Sequence, residues 1–156
     1  SYKIMQLTEK EQSVIKELQT QEKSCVEKYR FYESSAKDPE LQKLFHQIGD
    51  EEQEHFDSLA DVLKGNVPNV KAQESGTQGY TPSVTYDKNC NSEDKKHDAF
   101  LCTDSIATEK LVSSTYNNDL FQFAASNIRK LLNHIQTEEQ NHAEMIYKYK
   151  TANNMA

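Results

Sequence analysis

The chain has 156 residues, of which 28% are charged and only 35% hydrophobic, with a net charge of −7 and only four glycines and three prolines. That is enough chain for one domain with a real core, and the profile suits long amphipathic helices better than a sheet rich in turns. The acidic balance argues against nucleic acid and anionic membranes as main partners. No stretch approaches the roughly 18 apolar residues of a membrane-spanning helix, and no signal-peptide pattern opens the sequence, so membrane insertion is not expected.

The first helix is expected from about Thr8 to Ala36, opened by a capping box of Thr8 and Glu11. Ile15, Leu18, Glu22, Cys25, Tyr29, Tyr32 and Ala36 recur in steps of three and four, the spacing of one helix face. Lys37-Asp38-Pro39 is a tight break in which Asp38 caps the next helix and Pro39 takes its first position. The second helix then runs to about Lys64, with Leu41, Phe45, Ile48, Glu52, His55, Leu59 and Val62 inward and Gly65 as a left-handed C-terminal cap. Residues 66–94 lose the helical period and form a connector of about 29 residues. A connector this long is unusual in a compact domain, and a crossover between the second and third helices of a bundle explains it.

The third helix is expected from about Lys95 to Ala124, with Ala99, Cys102, Ile106, Glu109, Val112, Tyr116, Leu120 and Phe123 inward. Ser126 is expected to cap the fourth, which runs to about Ala152 with Ile128, Leu132, Ile135, Glu139, His142, Ile146 and Tyr149 inward. A shift of 87 positions carries the first hairpin onto the second: Glu22 onto Glu109, Tyr29 onto Tyr116, Glu51-Glu52-Gln53 onto Glu138-Glu139-Gln140, and His55 onto His142. Such self-similarity implies two like hairpins packed about a pseudo-two-fold axis.

Each apolar stripe is interrupted by acidic or imidazole groups at one level. Glu22 and Glu109 stand alone on their helices, whereas Glu52 and His55, like Glu139 and His142, are three residues apart and share a face. Four carboxylates in a low-dielectric core repel one another and must take up protons, water or cations. Two divalent ions would cancel the four charges, and carboxylate with imidazole suits iron or manganese, with zinc as a further choice. Tyr29 and Tyr116, two turns after the lone glutamates, either donate their hydroxyls to a ligand carboxylate or simply pack in the core. Glu51, Glu54 and Glu138 are read as a solvated face, and His46, His97 and His134 as surface or supporting groups rather than ligands. Cys25, Cys90 and Cys102 lack Cys-x-x-Cys spacing and read as free thiols, two in the core and Cys90 in the connector.

With its inward glutamate, a tyrosine seven later and Glu-x-x-His (Glu22, Tyr29, Glu52, His55), the first hairpin resembles rubrerythrin and other ferritin-like proteins. From about Thr108 to Tyr149, TEKLVSSTYNNDLFQFAASNIRKLLNHIQTEEQNHAEMIYKY, the second is similar to the spore coat F family of endospore-forming bacteria. The resemblance implies an all-α, ferritin-like four-helix bundle of two repeated hairpins, in which Glu22, Glu52, His55, Glu109, Glu139 and His142 hold a di-iron or di-manganese centre. It also implies synthesis in the cytoplasm of the mother cell and a place in the spore coat, beside other coat proteins or further copies of itself. Oxidase, peroxidase or catalase-like chemistry on oxygen or peroxide is one implied function; a structural coat component with a stabilising or vestigial metal site is the alternative. The chain lacks the paired Cys-x-x-Cys motifs that hold the iron–sulfur module of rubrerythrins.

Overall fold

A computed structural model describes residues 6–71, 76–77 and 79–155; residues 72–75 and 78 of the expected connector lie outside the described set. The described residues form four helices and no strand: α1 (Glu9–Ser35), α2 (Pro39–Leu63), α3 (Glu93–Asp119) and α4 (Ser126–Ala152). The capping box is present, with Thr8 Oγ1 accepting from the Glu11 amide and the Glu11 carboxylate accepting from the Thr8 amide. Asp38 Oδ1 accepts from the Glu40 amide at the start of α2, and Gly65 follows α2 with φ of 89°.

Two expectations at the second hairpin need correction. Helix α3 stops at Asp119 instead of Ala124, passing into a 3-10 turn (Leu120–Gln122) and then an extended Phe123. Asn117, Asn118 and Asp119 favour turns over helix interiors, which accounts for the early end. Ser126 does not cap α4; Ala125 holds the cap position without a side-chain bond, and the Arg129 guanidinium donates to the Phe123 and Ala124 carbonyls that precede the helix.

Helix α1 packs along α2, and α3 along α4; α1 also meets α3, and α2 meets α4. Contacts between Gln21 and Thr115, Lys28 and Thr108, and Tyr32 and Asp104 show that α1 and α3 run antiparallel. Glu33 against His46 and Arg30 against Asp50 give the same relation for α1 and α2. Helices α2 and α3 therefore point the same way, and the chain leaving α2 must travel back along the bundle to begin α3. Val67 and Val70 pack at one end, and Tyr80 and Tyr86 at the other.

The connector is fastened to α4 along its path. The Gly76 amide donates to Asn141 Oδ1 at 2.8 Å, Lys148 Nζ donates to the Thr77 carbonyl, and Asn153 Oδ1 accepts from the Thr85 and Tyr86 amides. Its last tie corrects the expected inward line of α3. That line passes through Lys95, Asp98, Cys102, Ser105 and Glu109, while Ala99 and Ile106 are only half-buried. Asp98 is fully buried and accepts from the Lys37 and Asp38 amides and from the Tyr86 hydroxyl; the Lys95 ammonium donates to the Asp87 and Cys90 carbonyls. A charge is tolerated there because each oxygen of Asp98 has a donor.

Two apolar clusters fill the bundle. One gathers Tyr29, Tyr32, Leu41, Phe45, Ile48, Leu101, Cys102, Ile146 and Tyr149, and the other Ile15, Leu18, Cys25, Leu59, Val62, Val112, Tyr116, Ile128, Leu132 and Ile135. A polar layer lies between them.

Candidate metal centre

All six expected ligands meet in that layer, and each is buried: Glu22, Glu52 and Glu139 at 0% exposure, Glu109 and His142 at 1%, and His55 at 3%. They divide into two sets of four, Glu22–Glu52–His55–Glu139 and Glu52–Glu109–Glu139–His142, in each of which one ligand atom per residue lies within 4.8 Å of the others. Glu52 and Glu139 belong to both sets. Glu52 turns Oε1 toward His142 Nδ1 at 2.9 Å and Oε2 toward His55 Nδ1 at 3.8 Å. Glu139 does the reverse, with Oε1 at 2.9 Å from His55 Nδ1 and Oε2 at 3.8 Å from His142 Nδ1. Each shared carboxylate thus presents one oxygen to each half of the layer.

The atoms converge without bonding one another. Both oxygens of Glu52 and of Glu139, Oε2 of Glu22 and of Glu109, and Nδ1 of both histidines are buried and make no directed hydrogen bond. Eight buried polar atoms without partners in one layer would carry a large desolvation cost. Carboxylate oxygens and imidazole nitrogens gathered this closely without hydrogen bonds to satisfy them fit cations held there. Two divalent charges would balance the four carboxylates.

Without cations the layer has to settle its charge with protons. Burial, reinforced by the Glu52 carboxylate, pushes the Glu22 carboxyl up to about 8. Burial together with Glu109 and Glu52 raises that of Glu139 as well. Burial disfavours a charged imidazole, but the surrounding carboxylates outweigh it and raise both His55 and His142. Glu52 is held low despite its burial, through its contacts with Glu22, His142 and His55.

Support for the six comes from the opposite hairpin. The Tyr29 hydroxyl of α1 donates to Glu109 of α3, and the Tyr116 hydroxyl of α3 donates to Glu22 of α1. Across α2 and α4, His142 Nε2–H donates to Glu51 Oε2 at 2.6 Å, and His55 Nε2–H to Glu138 Oε1 at 3.2 Å. Glu51 and Glu138 were expected on a solvated face; they are instead half-buried and close the layer, while Glu54 is exposed as expected. Their signal in the sequence was their place in the repeat, each just before a shared glutamate. The offset that points a residue away from its own hairpin's axis points it at the neighbouring hairpin's histidine.

The remaining histidines take three different places. His46 is exposed beside Glu33 and Asp50, His97 sits against Ser35, and His134 Nε2 lies 2.7 Å from Glu138 Oε1. Cys25 and Cys102 are buried and free, and burial raises both thiols above their usual range.

The two hairpins differ in what they match among known proteins. Residues 97–155 match the Coat F domain. That match takes in nearly all of α3 and the whole of α4, with Glu109, Glu139 and His142, and stops short of the first hairpin. No curated protein and no solved structure matches the chain.

Proposed function

We propose that this chain is a spore-coat-associated, ferritin-like protein that binds two divalent ions, iron or manganese, and acts oxidatively on oxygen or peroxide. The observation that carries the reading is the pair of four-ligand sets sharing Glu52 and Glu139. The Coat F match supports the setting, and among the described residues no helix is long and apolar enough to cross a membrane. Iron or manganese held there would supply redox chemistry toward oxygen or peroxide. The protein's part is to hold the ligands in place and keep water out. Glu52 and Glu139 span the two halves, and Glu22 with His55 and Glu109 with His142 complete them. Tyr29 and Tyr116 fix the two terminal carboxylates, Glu51 and Glu138 orient the imidazoles through Nε2, and the two apolar clusters close the layer above and below.

A structural coat component is the second reading, favoured by the exposed Phe100, Leu111, Phe121 and Tyr147 on the hairpin that carries the Coat F match. Surface of that kind suits packing against other coat proteins or another copy of the chain. The tyrosines of the connector suit it less, because Tyr80 and Tyr86 pack against the bundle. Metal analysis followed by a peroxide-consumption assay tests the choice. About two ions per chain with repeated turnover supports the enzyme, and two ions without turnover supports the structural component. No bound ion after reconstitution, together with an unchanged melting temperature in Glu52→Ala, contradicts both metal-dependent readings.

A further inference from the structure

The tyrosines behind the two terminal carboxylates have different surroundings. Tyr29, which donates to Glu109, meets Tyr32 edge to face, with ring centroids 5.4 Å apart and planes at 77°. Phe45 packs against both rings, at 6.0 and 5.4 Å. Tyr32 is buried, but its hydroxyl reaches the rim of the bundle and donates to Oδ2 of the exposed Asp104. Phe31 lies 6.3 Å from Tyr32 and is 64% exposed, and Phe100, one turn before Asp104 on α3, is 66% exposed. A file of aromatic rings thus runs from a candidate ligand to the surface. The repeat does not copy it: Asp119 stands where a second Tyr32 would be, Glu17 where a second Asp104 would be, and Leu132 in place of Phe45.

Any buried tyrosine needs a partner for its hydroxyl; what sets this pair apart is its order. One phenol touches a ligand, the next touches the first, and the second holds its proton against a carboxylate open to water. A phenol is neutral near pH 7 and becomes a strong acid once it loses an electron, so a base in contact makes its oxidation far easier. Resting on the metal reading above, we propose that Tyr32, through Tyr29, passes electrons from an external phenol to the centre. For each electron that leaves Tyr32 inward, its phenolic proton moves to Asp104 and on to solvent. The external phenol then gives Tyr32 a hydrogen atom and restores it. Two such cycles deliver two electrons, which with two protons from solvent turn one peroxide into two waters, while two phenols become phenoxyl radicals. An aromatic donor suits the exposed Phe31 and Phe100 rings at the outer end of the file.

Iron-reconstituted protein, its metal content measured first, is mixed with peroxide and frozen for electron paramagnetic resonance, with ordinary and with ring-deuterated tyrosine. Oxidation of a soluble phenol by peroxide is followed in parallel. The parent is expected to give a tyrosyl signal that narrows on deuteration and is quenched by the phenol. Tyr32→Phe keeps the ring, and circular dichroism checks that it keeps the fold; it should lose the parent's line shape and most of the phenol oxidation. Asp104→Asn, which takes the base from the hydroxyl, should weaken both. Tyr147→Phe, at an exposed tyrosine of α4, should retain both. No tyrosyl signal in the iron-loaded parent, or either readout unaltered in Tyr32→Phe, overturns the route and leaves the metal reading standing. Protein that takes up no iron overturns both.

Discussion

Glu22 and Glu109 are each held by a tyrosine from the other hairpin, so the hydroxyls of Tyr29 and Tyr116 bind the halves together at the level where like charges would push them apart. Removing either hydroxyl leaves a buried carboxylate oxygen without its donor. Tyr29→Phe and Tyr116→Phe are each expected to cost about 1–3 kcal/mol, read as a lower urea midpoint with an unchanged slope; a midpoint within experimental error of the parent would show that the hydroxyls only pack. The six candidate ligands were legible in the sequence because a repeat offset and a helical face both select them. The groups behind them were not. Glu51 and Glu138 lie off their own inward stripes, and nothing within a single hairpin says that they meet a histidine of the other.

Helix ends and ties show where local sequence suffices and where it does not. Thr8 and Asp38 cap as their local motifs indicate, since a cap needs only its own helix start. Ser126 has the right residue type but lies one position inside α4, where its hydroxyl makes no cap. Thr8→Ala is therefore expected to lower stability by about 1 kcal/mol and Ser126→Ala by no more than a few tenths, measured by thermal unfolding; equal losses would contradict the assigned start of α4. The inward line of α3 was misread near its N-terminus because an apolar stripe was sought where the chain places Asp98. Its partners are two amides at the α1–α2 break and a connector tyrosine, all distant in sequence. Asp98→Ala strands three donors and is expected to cost about 3 kcal/mol. Hydrogen exchange at the Thr85 and Tyr86 amides should accelerate with it, and unchanged protection there would show that the connector is held by α4 alone.

At the scale of the whole molecule, two apolar clusters are joined through a layer of charge, and the stability of the bundle depends on what neutralises that layer. Glu22 moves from an ordinary 4.5 to about 8 on folding, and Glu139, His55 and His142 are also raised, so the folded chain binds more protons than the unfolded one across this range. Stability of chelator-treated protein should therefore fall as pH rises from about 5 toward about 8; Glu52, held low, acts with the opposite sign but only below its usual range. Ion binding needs the deprotonated carboxylates and neutral imidazoles, so the stabilisation gained on adding metal should grow over the same interval. Urea unfolding with and without metal at three pH values checks both slopes, and parallel curves would contradict the linkage. The bundle and its return connector were legible because periodicity and a long aperiodic stretch are properties of the chain as a whole. The central claim is that Glu22, Glu52, His55, Glu109, Glu139 and His142 form a dinuclear site. Anomalous diffraction from reconstituted crystals, collected on both sides of the iron and manganese edges, tests it most directly. The account predicts two peaks in the layer between the apolar clusters, one beside each histidine and both in contact with Glu52 and Glu139; a layer without anomalous signal in crystals grown from metal-reconstituted protein would contradict it.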